Sequence, residues 1–414
     1  MHLCDAKPFF SGICPSVIML SMSKEIDTAV VGMGAMGSAA LYQLAKRGER
    51  VLGIDQFSPP HNLGSSHGEF RITRQALGEG EEFVPLALRS YEIWDEIEKA
   101  TGTKLLFMTG GLILESQDSQ VAPHGRFNFL RGTIDTARNY GIRHEVLDSD
   151  QIRSRFPQFN ITNERGYFEY NAGYLLPELC IDAQLNLAEK YGAEIRRNEK
   201  VLEIIPSDSN DKVTIKTEKG VFESGKVILA ADPWIAEFVD SEFSPLFKVH
   251  RQVLFWYDID QRQANSYGPN SFPVFVWIFE KSGEFGFYGF PTMDDKTIKI
   301  AGEQFNESTT PDNANREVLD DEPKEAYEKF VKNRLVGITS VSRNAETCLY
   351  TTTPDSSFVI DFDPKHPQVI IASPCSGHGF KHSPAIGEIL AELAIDGKSK
   401  IDISKFSIAR FQSS

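Results

Sequence analysis

The sequence predicts an α/β protein with a discontinuous Rossmann-type domain and a second, α+β domain that bears a mostly antiparallel sheet. A strand, a glycine-rich turn, a helix and a second strand follow one another near the start of the chain. Residues 246–305 are rich in aromatic and β-branched residues with scattered Gly and Pro, which is typical of strands and long turns. The C-terminal part returns to a strand and a helix. This order indicates that the second domain is inserted into the first.

Composition argues against several classes of protein. With 414 residues, 41% of them hydrophobic and 24% charged, the chain is typical of a globular protein of one large or two ordinary domains. The net charge of −15 disfavours nucleic acid and anionic membranes as partners, and no apolar run reaches the ~20 residues of a membrane span. The five cysteines are odd in number and unevenly spaced, which argues against a disulfide framework. Residues 1–23 lack a signal-peptide pattern, so we expect a disordered extension and a cytoplasmic protein.

The N-terminal unit carries a dinucleotide-binding fingerprint. Gly32, Gly34 and Gly37 follow the β-branched run 28–31 at the spacing that allows a tight turn, a close approach of pyrophosphate and close helix–strand packing. The N-terminus of the following helix offers free N–H groups to the phosphates. A second strand ends on Asp55, where a carboxylate can bind ribose hydroxyls. The fingerprint does not distinguish NAD from FAD.

Hydrophobic periodicity predicts the other elements in order. Apolar residues at helical spacing between Val84 and Trp94 predict an amphipathic helix, and another is predicted over residues 177–190. The last helix is predicted to have Ser383 as its N-cap and Pro384 as its first residue, and to stop at Gly397. Strands are predicted at 105–108, 111–114, 201–205, 213–217, 227–230 and 369–372.

Three blocks of sequence carry a resemblance to a known family. They are Gly-Ser-Ser-His-Gly-Glu-Phe-Arg-Ile-Thr-Arg at 64–74, Cys-Leu-Tyr at 348–350 and Ser-Gly-His-Gly-Phe-Lys at 376–381. In sequence, order and spacing these blocks are similar to the monomeric sarcosine oxidase and N-methyltryptophan oxidase family of flavoenzymes. The similarity extends from about Asp27 to Gln412, which is nearly the whole chain.

The resemblance implies a D-amino-acid oxidase-like fold in which the nucleotide is FAD. The second domain is then expected to place a sheet over the flavin. The expected segments are 24–103, 163–243 and 335–405 for the FAD-binding domain, 104–162 and 244–334 for the substrate domain, and 406–414 for a C-terminal tail.

The family match also implies that Cys348 joins FAD through a thioether to the 8α carbon of the flavin. A tethered flavin cannot dissociate, and its redox potential can be raised. Without the match, a buried free thiol would be the ordinary interpretation of Cys348. The residues implied in cofactor binding are Gly32, Gly34, Met36, Gly37, Asp55, Ser66, His67, Cys348, Gly377, Gly379 and Lys381.

The groups that would meet substrate and oxygen are implied in the same way. Arg74 and Lys381 are expected to hold the substrate carboxylate, because arginine offers a planar fork and lysine a compact charge. Lys299, in an alternating strand pattern, is expected to activate O2 with its positive charge; an outward lysine on the strand face is the alternative. The remaining implied residues are Arg71 and His67 beside the flavin ring, and Tyr288 and Tyr350 as walls of the pocket.

One position departs from the family pattern. Sarcosine-oxidising members carry a histidine four residues after the oxygen-activating lysine, and this chain has Glu303. An ionised acid there would repel a substrate carboxylate. Glu303 is therefore expected either to pair with Arg74 or another cation, or to bind a cationic or hydroxyl-bearing part of a substrate larger than sarcosine.

The resemblance implies an oxidase of secondary-amine amino acids, such as sarcosine or another N-methyl amino acid, that reduces O2 to H2O2. A cyclic imino acid such as pipecolate or proline, a glycated amino acid, and an inactive flavin-binding relic are the alternatives. An NAD-dependent dehydrogenase is disfavoured because hydride transfer to nicotinamide needs neither Cys348 nor Lys299. The expected partners are a small amino acid and O2, without metal, nucleic acid or membrane, and the family implies a monomer.

Overall fold

A computed structural model describes residues 25–116, 128–207, 211–281 and 284–412. The N-terminal extension expected at residues 1–23 lies outside the described residues. Within the described ranges, every helix is too short or too polar to cross a lipid bilayer.

The described residues form helices and strands throughout the chain. The helices are α1 (Ala35–Lys46), α2 (Val84–Thr101), α3 (Phe129–Asn139), α4 (Ser149–Arg155), α5 (Pro177–Lys190), α6 (Glu322–Ala326) and α7 (Ser383–Asp396). The strands are β1 (Ile26–Val31), β2 (Val51–Ile54), β3 (Arg71–Thr73), β4 (Leu106–Met108), β5 (Gly111–Ser116), β6 (His144–Leu147), β7 (Glu164–Glu169), β8 (Gly173–Leu175), β9 (Glu194–Arg196), β10 (Val201–Pro206), β11 (Val213–Thr217), β12 (Val221–Leu229), β13 (Lys248–Ile259), β14 (Val274–Lys281), β15 (Glu284–Gly289), β16 (Thr297–Gly302), β17 (Ile338–Thr352), β18 (Val359–Phe362) and β19 (Val369–Ser373).

The first sheet confirms the predicted Rossmann-type domain. Its strands lie in the order β10-β11-β12-β1-β2-β9, and β19 pairs with both β12 and β18. The pairs β12–β1, β1–β2 and β12–β19 are parallel, and α1 packs against α5 and α7. Parallel strands of this kind need helices to cover them, which the βαβ connections supply.

Glycines permit the tight packing between β1 and α1. Gly32 has a φ of +87°, and a Cβ there would lie 2.5 Å from the Ala230 carbonyl oxygen. A Cβ on Gly37 would lie 1.8 Å from the Gly32 carbonyl oxygen. A larger residue at Gly37 would force the helix away from the strand, and one at Gly32 would clash with the Ala230 backbone, as the fingerprint spacing predicts.

The second sheet is mostly antiparallel, also as predicted. Its order is β17-β13-β16-β15-β14-β5-β7-β6, and only the β14–β5 pair among these is parallel. β17 pairs with β13 along its length, from Thr352 opposite Lys248 to Ile338 opposite Ile259. β7 and β17 thus belong to this sheet, and the resemblance implies that residues 163–243 and 335–405 belong to the FAD-binding domain.

A small third sheet and helix α7 complete the described fold. The third sheet has the order β3-β8-β4, and β3 begins at Arg71. α7 differs from its prediction by one residue: it starts at Ser383 itself, after His382, and Pro384 is its second residue. The 3₁₀ turn Phe380–His382 runs directly into the helix, so no side-chain cap is needed at this end. Gly397 ends α7 with a φ of +70°, as predicted.

Candidate active site

A cleft with about 1240 Å³ of empty space, including the part open to solvent, lies at the carboxyl ends of the parallel strands, and we call it the first cavity. Gly32, Asp55, Ala230 and Ser373, which end or follow β1, β2, β12 and β19, all line it. This edge of a parallel sheet is where open α/β folds bind their ligands. The predicted cofactor residues that line the cavity are Gly32, Gly34, Met36, Asp55, Ser66, Gly377 and Gly379.

The residues of this cavity fit a dinucleotide. A Cβ on Gly34 would meet only the Ser66 Oγ, at 3.9 Å, so the glycine leaves space in front of the N-terminus of α1. Asp55 is buried, and its two oxygens accept hydrogen bonds from the Met33 and Phe57 backbone N–H groups at 2.7 and 2.8 Å. These bonds hold the carboxylate at the strand end, and each oxygen keeps a lone pair for a hydroxyl.

Cys348 lies behind the wall of this cavity and is fully buried. Its Sγ is 3.5 Å from the Ser65 carbonyl oxygen and 3.7 Å from the Arg71 Nη2, and both residues line the cavity. Burial raises the pKa of the Cys348 thiol, while the positive charges of Arg71 and Lys299 oppose that rise. These two cations therefore favour loss of the thiol proton.

A second cavity, with about 790 Å³ of empty space including the part open to solvent, adjoins the first. Arg71, Tyr350, Gly377 and Phe380 line both cavities, and we call these four residues the junction. The second cavity has an apolar wall and a charged wall. The apolar wall includes Phe129, Val276, Ile278, Phe287 and Phe290, and the charged wall includes Arg74, Glu79, Glu303 and Lys381.

Arg74 is bound to a carboxylate that sequence reasoning missed. Its Nη2 donates to both Glu79 oxygens, at 2.6 and 2.7 Å, and its Nη1 donates to the Ala76 carbonyl oxygen at 2.6 Å. Glu79 stands between two glycines five residues after Arg74, and this was the only signal in the sequence. Arg74 is therefore paired with Glu79.

Lys381 and Glu303 complete the charged wall. Lys381 is buried, its Nζ donates to the His378 carbonyl oxygen at 2.5 Å, and burial lowers its pKa to about 8. Burial, reinforced by Glu79, raises the pKa of Glu303 to about 8, and Lys381 opposes this rise. The charged wall is therefore more positive below pH 8, where Lys381 is charged and Glu303 is neutral, and more negative above it.

Tyr288 lies next to Tyr350, one of the junction residues. The Tyr288 and Tyr350 hydroxyls are 3.2 Å apart, and both residues line the second cavity. Burial raises the pKa of Tyr288 to about 12, so its hydroxyl remains protonated at neutral pH.

His67 and Lys299 lie close to Arg71, outside the linings of the two cavities. The His67 Nε2 is 2.8 Å from the Thr347 carbonyl oxygen, and burial lowers its pKa to about 4, so the ring is neutral at pH 7 and donates this bond. The Lys299 Nζ donates to the carbonyl oxygens of Gly68 and Phe70, the latter at 3.0 Å. The side chain of Lys299 thus points into the fold, which excludes the outward-facing alternative.

The parallel sheet and the cavity at its edge define the class of dinucleotide-binding α/β proteins. Among the described residues, no group of three or more His, Cys, Asp or Glu side chains is arranged to hold a metal ion. Residues 27–393 match the family of FAD dependent oxidoreductases. The chain belongs to this family, and it is an FAD-dependent enzyme.

Individual relatives and solved structures show which enzymes the chain resembles. The monomeric sarcosine oxidase of Bacillus sp. (strain B-0618) is 36% identical over 392 residues, 94% of this chain and 97% of that protein. The N-methyl-L-tryptophan oxidase of Yersinia pestis (strain Pestoides F) is 36% identical over 94% of this chain and 100% of that protein. The open form of NikD, an unusual amino acid oxidase essential for nikkomycin biosynthesis, has the same fold, with a TM-score of 0.78 at 23% identity over 92% of this chain and 97% of that one. The predicted membership of the monomeric sarcosine oxidase and N-methyltryptophan oxidase family is confirmed.

Proposed function

We propose that the protein oxidises the C–N bond of an amino acid with a secondary amine and passes the electrons to O2, which gives H2O2. The observation that carries this proposal is the junction, where a dinucleotide cavity opens onto a pocket with a guanidinium, an ammonium and an apolar wall. Such a pocket suits a carboxylate at one end and an N-alkyl or ring carbon at the other. The relatives named for sarcosine and N-methyltryptophan support the same substrate class.

When bound, FAD supplies the acceptor for two electrons and the route to O2. Around it, Arg74 and Lys381 would orient the substrate by its carboxylate, and the hydroxyls of Tyr288 and Tyr350 would close the pocket. Arg71 donates to the Phe70 and Ser65 carbonyl oxygens, both at 2.9 Å, so its charge is fixed at the junction. A fixed charge requires no reorganisation when negative charge develops nearby.

A screen for H2O2 release tests this function. The purified enzyme should release H2O2 with sarcosine, N-methyl-L-tryptophan or another secondary-amine amino acid, and much less with the matching primary amines. Preference for L-pipecolate or L-proline would identify the cyclic alternative, and preference for a fructosyl amino acid the glycated one. No H2O2 with any of these compounds, from a protein that retains its flavin, would favour the inactive relic.

Covalent attachment of FAD at Cys348 is part of the proposal. Acid-precipitated enzyme should keep its yellow colour, and Cys348→Ala should release all flavin into the supernatant, because the thioether sulfur is gone. Cys375→Ala is the matched control: Cys375 is also a free thiol and lines the same cavity, so this variant should keep its flavin. Free flavin from the wild-type enzyme, or retention by the Cys348 variant, would contradict the attachment.

We further propose that the enzyme acts as a monomer in the cytoplasm. Cys180 and Cys375 form no disulfide among the described residues, as expected in a reducing compartment. The relatives that carry the word monomeric in their names support the oligomeric state, which size-exclusion chromatography with light scattering measures directly.

A further inference from the structure

Glu303 reaches the junction between the two cavities. Its Oε1 lies 2.9 Å from the position that a Cβ on Gly377 would occupy, and that position is 3.1 Å from the Tyr350 ring. Both Gly377 and Tyr350 line the dinucleotide cavity and the second cavity. Glu303 itself lines only the second cavity. Its carboxyl group therefore faces the place where a substrate must meet the cofactor.

The bond to be oxidised has to lie at this junction, because the reacting atoms must contact the cofactor. The cations that suit the substrate carboxylate, Arg74 and Lys381, line the second cavity and not the first. A substrate whose carboxylate lies toward those cations presents its amine to the junction. In this orientation the nitrogen lies on the side of the pocket that the Glu303 carboxyl faces.

The groups around Glu303 make it a suitable proton acceptor. Glu79 and Lys381 face it with opposite charges, while Tyr288 and Tyr350 face it with neutral hydroxyls. Arg74 is bound to Glu79. An aliphatic ammonium in water has a pKa of about 10, to judge from lysine, and burial at the junction would lower it. The pKa of the ammonium then approaches that of Glu303, which is about 8.

We propose that Glu303 accepts the ammonium proton of the bound amino acid, so that the zwitterion that prevails in solution becomes the neutral amine that is oxidised. An N–H bond breaks, its electron pair stays on nitrogen, and the proton forms an O–H bond on Glu303. No electrons leave the substrate in this step. Protonated Glu303 also no longer repels the substrate carboxylate, which resolves the conflict that an acid in this pocket poses. The inference rests on the proposed amine oxidation.

The test is the pH dependence of anaerobic flavin reduction in wild type and Glu303→Gln. In wild type the rate should rise with pH through about 8 and then level, because the accepting carboxylate is present above its pKa. The amide has nearly the same shape but cannot take a proton, so reduction at pH 7 should fall about 10²-fold. In the variant the rate should then climb about tenfold per pH unit toward the pKa of the free amine.

A binding measurement tests the same group without turnover. An ether analogue, with oxygen in place of the amine nitrogen, carries the carboxylate but no proton to give. Its affinity for wild type, followed by the flavin absorbance, should fall above pH 8 as Glu303 ionises and Lys381 loses its charge. In Glu303→Gln only the contribution of Lys381 remains, so the affinity should fall less steeply.

These outcomes separate the inference from the proposed function. Superimposable pH profiles of the two proteins, a loss in Glu303→Gln that is equal at every pH, or a loss confined to substrates with a basic side chain would each overturn the role of Glu303. A failure of every secondary amine to reduce the flavin would instead overturn amine oxidation, and the analogue would still show whether Glu303 faces the pocket. Glu303→Asp keeps the acid and should retain a levelling pH profile, so misfolding of one variant cannot conceal the result.

Discussion

Replacement of Lys299 by methionine should slow the reaction of reduced flavin with O2 by about 10²–10³-fold, the usual effect of removing one fixed charge or donor from a buried reacting centre. The Lys299 Nζ is held by the Phe70 carbonyl oxygen at 3.0 Å and lies 4.9 Å from the centre of the Phe290 ring. A cation in this dry environment stabilises the negative charge that O2 acquires much more strongly than a cation in water does. Methionine keeps the length and the apolar body of the side chain and removes the charge.

Stopped-flow spectroscopy separates the two half-reactions of this variant. Anaerobic reduction by substrate should change little, because the proposed role of Lys299 concerns oxygen alone. The matched control is Lys296→Met, which removes an exposed lysine just before the same strand and should leave both rates unchanged. Equal losses in reduction and reoxidation would show that Lys299 supports the fold or the substrate instead.

The same lysine predicts how oxygen reactivity depends on pH. Burial lowers the pKa of Lys299 well below its ordinary value, and the neighbouring Arg71 adds to this effect. The charged form exists below that lowered pKa and is lost as the pH rises through it. The reoxidation rate of wild type should therefore fall with rising pH, at a pH below that expected of an ordinary lysine, and the rate of Lys299→Met should not.

Arg74→Ala should weaken the binding of simple carboxylate inhibitors by at least ~30-fold. Removal of one partner of a buried, charge-assisted contact costs about 2–5 kcal/mol, which corresponds to roughly 30- to several-thousand-fold in the dissociation constant. Titration of the flavin absorbance with acetate or a longer carboxylate gives this constant directly. An unchanged constant would remove Arg74 from the binding site.

Replacement of Glu79 is a control for Arg74, because it should change the affinity for carboxylates in the opposite direction. Both of its oxygens accept hydrogen bonds from the Arg74 Nη2, which the inhibitor would otherwise bind. Glu79→Gln should therefore make Arg74 available and tighten carboxylate binding. The double variant Arg74→Ala/Glu79→Gln avoids leaving Glu79 buried without its cation and should still bind weakly. If Glu79→Gln had no effect and the double variant bound like wild type, Arg74 would be a structural residue.

The nucleotide-binding half of the fold could be predicted because its signals are local. The glycines after β1 and the acid after β2 report on their own backbone surroundings, and the structure has both at the cavity edge. β17 could not be predicted from periodicity, because much of its first half is polar and exposed and its pairing with β13 joins distant parts of the chain. Its existence depends on tertiary pairing more than on local preference.

The candidate site could likewise be predicted only in part, where its residues lie in sequence motifs. The order of the motifs indicates Arg71, Tyr350 and Gly377 as site residues, and these three residues meet at the junction. The Arg74–Glu79 pair depends on the path of the intervening loop, which no residue spacing specifies. The charge state of Glu303 likewise depends on burial and on Glu79 and Lys381, which are distant from it in sequence.

β17 has a consequence for anyone who wishes to redesign this enzyme. Cys348 and Tyr350 are two residues apart on this strand, so they project from the same face, one toward Arg71 and Ser65 and the other into both cavities. Insertion or deletion of one residue would turn both side chains to the opposite face together. The proposed flavin attachment at Cys348 and the pocket wall at Tyr350 would thus change together. Libraries that aim at new substrates should vary β15 around Tyr288 or the loop that carries Glu79, and leave the length of β17 alone.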